Sequence, residues 1–429
     1  MRLRLVSALA CVASGCGVAS TSGWSAPVAV SNGDTPAYDL ALGGDAAGHA
    51  LAAWASESDG VAVARFDRAA RAWGPPVAMA AGEGAADQLR LAVGAEGDAV
   101  VLWRQLSVGL QSVWSSWFDP AAAAWRPPTL VERDDTGDAA EPCVAALPAG
   151  GAVAVWHQWD GLRESLWSNT LGAAPLRWTG RSLLETTDSA DALEPDVATD
   201  PRGNAVAVWT QDDGDSVTVW TARRAVDVGT WSAPSMLSAN GLSATKPAPR
   251  VALDAAGNGL AIWSLNTGRA SGVWASRYDA RSDTWSAAVP LEETHPFAVM
   301  QDVALAIDGG GDAFALWRRS DEDEASLWAS TFSMPTSSWG AALRLDDGVG
   351  PPAVAAAGHR QAVAVWRALG DDRIQASRFD TGAQHWSPST RLDGNDGDSA
   401  DPRISVGADG EAVAIFTGGR RVWSVHARP

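Results

Sequence analysis

The sequence predicts an all-β fold, a single eight-bladed β-propeller with four antiparallel strands in each blade. Three observations predict it: an apolar run that ends in an aromatic residue, a second tryptophan that opens another apolar segment, and a period near fifty residues. The clearest copy of the first marker is "GNAVAVW", and its eight copies begin at 48, 97, 150, 203, 257, 311, 360 and 410. Repeats of this length are typical of propeller blades.

The second marker gives the strand count of each repeat. Its tryptophans recur at intervals of 47 to 54 residues, at Trp24, Trp73, Trp125, Trp178, Trp231, Trp285, Trp339 and Trp386. Within one interval, 195–237, four short apolar segments are separated by Gly, Asp, Asn and Pro turns, without helical periodicity. Four short strands per repeat indicate a blade.

The first marker also predicts how the blades pack. In one copy Ala205, Ala207 and Trp209 point to one face of the strand, while Val206 and Val208 point to the other. A strand that is apolar on both faces must be covered on both sides. We expect the bulky face of each blade to pack against the alanine face of the next, and this head-to-tail contact closes a ring.

The two ends of the chain predict how the ring is closed. The segment 24–30 has the pattern of an outer strand but no earlier strands to join, and the last repeat ends at Pro429 without an outer strand. We therefore expect the N-terminal strand to complete the last blade. The propeller is assigned to residues 24–429, after a short linker at 17–23.

The N-terminus has the pattern of an export signal over residues 1–16. Two arginines precede an apolar run at 5–13 that is too short to span a bilayer. The segment "ASGC" (13–16) resembles the lipobox of bacterial lipoproteins, which implies lipidation of Cys16. Ordinary signal cleavage near "VAS" (18–20) is the alternative. We expect an outer-membrane or cell-surface lipoprotein, or otherwise a periplasmic or extracellular protein.

Charge and cysteine content exclude several classes of function. A formal net charge of −19 disfavours binding to nucleic acid, and contact with a membrane is expected only through the N-terminal lipid. Cys143 stands alone in an apolar strand and is expected to be a buried, unreactive thiol. The six histidines are scattered over the repeats, which argues against a transition-metal site.

An aspartate precedes the second tryptophan by six residues in four repeats. "RYDARSDTW" (277–285) is one copy, and the aspartates are Asp67, Asp119, Asp279 and Asp380. This turn resembles the Asp-box turn of sialidase-type propellers, and the chain is also similar to repeat propellers of secreted bacterial proteins. The resemblance implies a similar strand order and not sialidase activity, which requires a tyrosine nucleophile. Of the two tyrosines, Tyr278 occupies a packing position, which leaves Tyr38.

Two loop segments supply candidate ligand-binding residues. Trp159 breaks the repeat pattern beside His157, Asp160 and Arg163, and its indole could stack on a sugar ring or on a partner side chain. The alternative is an indole folded over its own blade. Calcium is the one cofactor that the sequence suggests, because a turn-rich segment is rich in the oxygen ligands that this ion prefers. The alternative is that the segment is a solvated acidic loop. The candidate calcium ligands are Asp393, Asn395, Asp396, Asp398 and Asp401.

The sequence favours a non-catalytic function over an enzyme and assigns no catalytic residue. We predict a binding or scaffold protein of the cell envelope that presents acidic loops to a protein or glycan partner. The alternative is a glycan-active enzyme, a glycoside hydrolase of sialidase-like architecture with a carboxylate pair on the loop face. Arginine, tyrosine and glutamate side chains that converge at the channel mouth would favour the enzyme, whereas scattered acidic loops without a pocket would favour binding or scaffolding.

Overall fold

The chain forms eight antiparallel β-sheets arranged as an eight-bladed propeller, as the sequence predicts. A computed structural model describes residues 23–428 except 34, 58–59, 80, 133–135, 149, 174, 186–189, 213–215, 239–246, 267–270, 293–297, 322–323, 359–360, 381 and 395–397. Cys16 lies outside these residues. In the described part of the chain, no helix is long and apolar enough to cross a membrane.

Blades are numbered 1 to 8 along the chain, and their strands run from the channel outward. Blade 1 has strands Ala37–Gly44, Ala50–Ser56, Gly60–Asp67 and Ala72–Trp73, and blade 2 has Glu83–Val93, Ala99–Ser107, Leu110–Asp119 and Ala124–Trp125. Blade 3 has Ala139–Ala146, Ala152–Trp159, Glu164–Ala173 and Leu176–Trp178, and blade 4 has Asp191–Thr199, Ala205–Asp212, Val217–Arg224 and Ser235–Met236. Blade 5 has strands Arg250–Leu253, Gly259–Asn266, Ser271–Asp279 and Thr284–Trp285, and blade 6 has Ala298–Ile307, Ala313–Asp321, Glu324–Ser333 and Ser338–Trp339. Blade 7 has Ala353–Ala357, Gln361–Ala368, Arg373–Asp380 and His385–Trp386, and blade 8 has Ser399–Val406, Ala412–Gly418, Arg421–Ala427 and Val28–Ala29.

In six blades the outer strand has a second short piece that also pairs with the third strand. These pieces are Val77–Met79, Thr129–Leu130, Ser182–Leu183, Val289–Pro290, Leu343–Asp347 and Thr390–Arg391. In blades 1 and 2 the interruption contains a Pro-Pro pair, at 75–76 and 127–128. Proline has no N–H to donate to a β-ladder, so it breaks the pairing and is tolerated at an edge.

The N-terminal strand closes the ring, which confirms the prediction from the chain ends. Val28 and Ala29 pair with Ser424 and Trp423 on the third strand of blade 8. The pairing continues beyond this strand, because Val30 N donates to Val422 O at 2.8 Å.

The blades nest as the alternating pattern predicts. Val153 and Val155 of blade 3 pack in one cluster with Ala205, Ala207 and Trp209 of blade 4. The equivalent residues meet at the other interfaces. The aromatic residue that ends the repeated apolar run in each second strand is buried, and we call this set the stacking residues: Trp54, Trp103, Trp156, Trp209, Trp263, Trp317, Trp366 and Phe416.

The glycine that leads the repeated run has a steric reason. Gly257 has a φ of +88°, and a Cβ atom there would lie 2.8 Å from Asp200 Oδ2 of the preceding blade. Asp200 is fixed because its Oδ1 accepts the backbone N–H groups of Arg202 and Asn204 in its own hairpin, both at 2.9 Å. The glycine therefore permits both the left-handed turn and the close approach of two blades.

The aspartate before the second tryptophan shapes the turn between the third and outer strands. Asp279 Oδ1 accepts the N–H groups of Ser282 and Arg281 at 3.0 and 2.9 Å, and these bonds lower the pKa of Asp279 from its ordinary value. The turn brings Trp285 opposite Tyr278, with ring centroids 5.4 Å apart. Tyr278 is therefore a packing residue, as predicted.

Candidate functional site: the axial channel

The inner strands of six blades carry a β-bulge close to the face on which the loops between second and third strands lie. In blade 3, for example, Ala140 pairs with His157 but Cys143 pairs with Val155, so one extra residue is inserted. The bulge residues adopt φ values of +50° to +53° although they are not glycines, and they are Asp39, Gln88, Glu141, Glu194, Asp302 and Asp401. Bulges of this kind redirect side chains and cluster at functional sites.

The bulge side chains connect neighbouring blades around the channel. In blades 8, 1, 2 and 3, the bulge side chain accepts a backbone N–H group from the inner strand of the following blade. The bonds are Asp401 Oδ2 to Leu40 N at 2.8 Å, Asp39 Oδ2 to Leu89 N at 2.8 Å, Gln88 Oε1 to Glu141 N at 2.6 Å, and Glu141 Oε2 to Glu194 N at 2.7 Å. These carboxylates thus have a structural role in addition to any chemistry.

One residue from the inner strand of each blade lines the channel cavity, and in the six bulged blades it lies two residues beyond the bulge position. Each pairs with the residue immediately before the stacking residue, so all eight lie at one level, and we call them the inner belt. In the order of blades 1 to 8 they are Ala41, Arg90, Cys143, Asp196, Arg250, Ala304, Ala353 and Arg403. They line one cavity of about 610 Å³. Its arginines come from blades 2, 5 and 8, on three sides of the axis.

The three belt arginines are held in the same way. Each donates from Nη1 to the carbonyl oxygen of the residue before it: Arg90 to Leu89 at 2.9 Å, Arg250 to Pro249 at 2.9 Å and Arg403 to Pro402 at 3.1 Å. Arg403 also forms an ion pair with Asp401 at 2.6 Å. A guanidinium group has five N–H donors, so these contacts orient the belt arginines without using all of their donors.

Several carboxyl groups around the belt have perturbed acidity. Burial raises the pKa of Glu194, and the charge of Glu141 raises it further. Burial also raises the pKa of Asp196, against the opposing effect of Arg250. Burial raises the pKa of Asp39 as well. Perturbed carboxyl groups beside fixed arginines in one cavity are typical of an active or binding site.

Of the residues predicted around Trp159, His157 makes contact with the channel wall. Its Nδ1 lies 2.9 Å from Glu164 Oε2, and its Nε2 lies 3.4 Å from Glu141 Oε2. The imidazole therefore sits between an acidic residue of the loop side and one that lines the axial cavity. This arrangement fixes the orientation of Glu141.

The side chain of Asp160 fixes the backbone of the rest of that loop. Asp160 Oδ1 accepts the N–H groups of Leu162 and Arg163 at 2.8 and 3.0 Å, so Asp160 shapes the turn. Trp159 lies against Gly137, where an added Cβ would meet its Cβ at 2.8 Å, and yet 41% of its surface is exposed. Part of Trp159 therefore packs against its own chain, and stacking of its indole on a ligand stays a prediction.

Two of the predicted calcium ligands, Asp393 and Asp398, line one cavity. Asp393 Oδ1 lies 2.8 Å from Arg391 Nε, whereas Asp401 belongs to the inner strand of blade 8. The predicted ligands Asn395 and Asp396 lie outside the described residues. Among the residues described, no group of three or more His, Cys, Asp or Glu side chains could hold a metal ion. Calcium binding stays a prediction, as does lipidation of Cys16.

The remaining candidates for chemistry are packing residues. Tyr38 donates its hydroxyl to Ala86 O at 3.1 Å, and it packs between blades 1 and 2. Cys143 is buried with its Sγ 3.0 Å from Pro195 O, and burial raises the pKa of this thiol to about 11. The prediction of a buried thiol is confirmed, and Cys143 is protonated at neutral pH.

Sequence reasoning missed the inner belt, although the sequence contains a signal for it. When the repeats are aligned on their stacking residues, Arg90, Arg250 and Arg403 fall at one position, in "LRLAV", "PRVAL" and "PRISV". The bulge obscures this correspondence, because the extra residue shifts the alternation of faces along the inner strand.

Comparison with known proteins supports the fold and no closer relationship. No protein-family model matches the chain, and no curated protein matches it. Among solved structures, the chain is similar to an ulvan lyase bound to -[GlcA(1-4)Rha3S]-, with 9% identity, a TM-score of 0.53 and coverage of 83% of this chain and 94% of that one. It is also similar to the polysaccharide lyase Uly1, with 10% identity, a TM-score of 0.50 and coverage of 77% and 87%. A Hadza microbial sialidase matches at 13% identity with a TM-score of 0.41, over 75% of this chain and 74% of that one.

Proposed function

We propose that the protein is a glycan-active enzyme that binds an acidic glycan at the mouth of its axial channel. The observation that carries the proposal is the convergence of Arg90, Arg250 and Arg403 at one level of a cavity that also presents carboxyl groups. Arginine recognises carboxylate and sulfate groups through paired N–H donors. The belt would hold the anionic substituent while sugar hydroxyl groups contact the bulge side chains.

The belt arginines supply the cationic groups of a cavity that also presents Glu141, Glu194, Asp196 and Asp302. The chain as a whole carries a formal net charge of −19, so a polyanion is repelled by most of the surface. At the belt, however, Asp39 and Glu141 already accept backbone N–H groups from the next blade. The guanidinium N–H groups therefore supply the donors that a ligand on the axis would meet.

Glu194 and Glu141 supply the carboxylate pair that cleavage of a glycosidic bond requires. They occupy equivalent bulge positions in neighbouring blades, and the raised pKa of Glu194 favours its protonated form. Glu194 would donate its proton to the oxygen of the leaving sugar. Glu141, oriented by His157, would accept a proton as general base, either from a water that bonds to the anomeric carbon in hydrolysis or from C5 of a uronate, which leaves a C=C bond, in elimination. A pair of carboxyl groups with different environments is the usual basis of such a division.

The comparisons support a glycan ligand as a class. One neighbour with a TM-score above 0.5 was solved with a bound -[GlcA(1-4)Rha3S]- unit, in which GlcA is an acidic sugar. Identity of 9% is evidence for the fold alone, so the acidic-glycan substrate rests on the belt arginines of this chain.

Binding can be tested by calorimetry with a panel of uronate-containing, sulfated and neutral oligosaccharides. We expect binding of acidic members that weakens with salt, and a loss of about tenfold or more in affinity in Arg250→Ala. Arg202→Ala is the matched control, because Arg202 is exposed in a hairpin between first and second strands, at the opposite face. Neutral glycans that bind as tightly as acidic ones would contradict the proposal.

Catalysis can be tested separately with Glu194→Gln. We expect this variant to keep glycan affinity and to lose turnover, because the amide cannot donate the proton. Mass analysis of the products distinguishes hydrolysis, which adds water, from elimination, which leaves an unsaturated uronate. Full turnover by Glu194→Gln would remove Glu194 from the mechanism.

A non-catalytic glycan-binding or scaffold function is the second candidate. It is favoured by the structural role of Glu141, whose Oε2 already accepts Glu194 N at 2.7 Å. Saturable binding without products from any acidic glycan would support it.

In either case we propose an exported protein of the cell envelope, anchored through Cys16. Mass spectrometry of membrane fractions tests this, since a mature N-terminus other than a lipidated Cys16 would contradict it.

A further inference from the structure

A second cavity lies beside the loop that joins blade 7 to blade 8. It has a volume of about 530 Å³ and shares no lining residue with the axial cavity. Its walls include Pro27, Asp393, Phe416, Gly418, Gly419 and Trp423. The cavity can be understood by comparing blade 8 with the blades before it.

In blades 6 and 7 the stacking indole is hydrogen-bonded to a carboxylate of the preceding connection. Trp317 Nε1 donates to Glu292 Oε2 at 2.7 Å, and Trp366 Nε1 donates to Asp346 Oδ2 at 2.7 Å. Glu292 and Asp346 each directly follow a leucine, Leu291 and Leu345, near the end of the outer strand. In these two blades the carboxylate and the indole N–H thus form the same polar contact between neighbouring blades, whereas in blade 3 the indole of Trp156 donates to Gln158.

Blade 8 keeps the carboxylate but lacks the indole. Asp393 follows Leu392 in the same way, whereas the stacking residue is Phe416, which has no N–H group. The side chain of Asp393 is 3% exposed, and its Oδ2 has no hydrogen-bond partner among the residues described. Arg373 Nη1 lies 3.8 Å from this oxygen, which is beyond hydrogen-bond distance.

Blade 8 also lacks the side chain that would fill the space beside this carboxylate. Two residues beyond the stacking residue, blades 2, 3 and 4 have glutamine and blade 6 has arginine, but blade 8 has Gly418. A Cβ atom at Gly418 would lie 2.9 Å from Trp423 Cδ1. Trp423 is held in place because its Nε1 donates to Gly418 O at 3.1 Å.

We infer that this cavity binds a planar heteroaromatic ligand with an N–H group, which donates to Asp393 Oδ2 as the indoles of Trp317 and Trp366 donate to their carboxylates. Burial of a carboxylate oxygen without a hydrogen-bond donor costs free energy. A ligand that donates to Asp393 Oδ2 removes this cost and gains affinity from it. Asp393 already has Arg391 at 2.8 Å and Arg373 at 3.8 Å, and a neutral donor therefore complements the site better than a further cation. Phe416 and Trp423 supply aromatic walls.

Indole and 1-methylindole are the probes, titrated by calorimetry into the full chain. The two have the same ring system, but 1-methylindole cannot donate a hydrogen bond. We expect saturable binding of one indole and an affinity about tenfold or more lower for 1-methylindole. Equal affinities, or no saturable binding of indole, would overturn the inference.

Phe416→Trp provides the matching protein variant, because it supplies the missing indole within the chain. We expect the variant to be more thermally stable than the wild type and to bind indole at least about tenfold more weakly. Arg250→Ala should bind indole as the wild type does, which separates this site from the axial channel. A Phe416→Trp variant that folds and binds indole with unchanged affinity would contradict the assignment.

Discussion

The second strands and the inner belt follow opposite rules, although both repeat eight times. On the second strands, one face carries small residues and a stacking aromatic residue, while the other carries Val, Leu, Ile or Phe with few exceptions. At the inner belt, equivalent positions carry arginine, alanine, cysteine and aspartate. The repeat is thus uniform where blades pack and varied where the channel is lined.

The difference has a steric origin. A second strand is covered on both faces by close-packed neighbours, so the volume of each side chain is constrained by the blade opposite. The belt residues line a cavity of about 610 Å³, so side chains of different size and charge can be accommodated at this level. Variation in this layer can therefore create a site without loss of the fold.

One exception on the second strands confirms that volume is what matters there. Blade 1 has Ala53 where the other blades have a bulky residue, and blade 2 has Val101 where the others have alanine. The two side chains meet in one cluster between these blades. At this interface the bulkier side chain comes from blade 2 instead of blade 1, and the combined volume of the two side chains is conserved.

The largest effect is expected from removing a stacking residue. Trp209 is fully buried, and its Nε1 has no hydrogen-bond partner among the described residues, so Trp209→Ala removes packing alone. We expect a loss of about 3–5 kcal/mol in the free energy of unfolding, measured by denaturant titration. Trp159→Ala, at an indole that is 41% exposed, is the control and should change stability by about 0.5 kcal/mol or less. Similar losses in both variants would contradict the comparison.

A buried acid next to the blade 3 interface should make stability depend on pH. Burial raises the pKa of Glu185 to about 7, while its carboxylate accepts Leu166 N at 2.8 Å. Because the folded pKa exceeds the unfolded one, this contribution to stability is complete below the unfolded pKa and is lost as pH rises to about 7. Relative to Glu185→Gln, the wild type should lose up to about 3 kcal/mol over this window. Parallel pH profiles of the two proteins would contradict the assignment.

The exchange between blades 1 and 2 can be reversed. Ala53→Val should overfill the interface and Val101→Ala should leave a cavity, each at a cost of about 1–2 kcal/mol. The double variant restores the arrangement of the other interfaces, so we expect it to recover most of this loss in chemical denaturation. Additive losses would show that the two side chains do not compensate each other.

The smallest effect on stability is expected at the inner belt. Arg250→Ala should change the free energy of unfolding by about 1 kcal/mol or less, because the residue faces a cavity and alanine already occupies three equivalent positions. The same variant should lose acidic-glycan binding. A large loss of stability, seen as a lower melting temperature, would show that the arginine is structural.

The sequence predicted the packing layer better than the site for identifiable reasons. Alternation in the copy that ends at Trp209 predicted both the strand and its two faces, because burial on both sides leaves a strong pattern. At the inner strand the bulge at Glu194 shifts the alternation, so Asp196 faces the channel at a position that simple period-two counting does not reveal. The contact of His157 with Glu141 joins residues of two strands and could not be seen in either one alone.

The sequence by itself determined the number of blades, their head-to-tail nesting and the closure of the ring by the N-terminal strand. These features follow from the size and polarity of residues that recur at a fixed period, and such local properties are readable along the chain. Only the tertiary structure decided which charged side chains meet. The belt arginines are separated by more than one hundred residues along the chain, and closure of the ring brings them to one level around the axis.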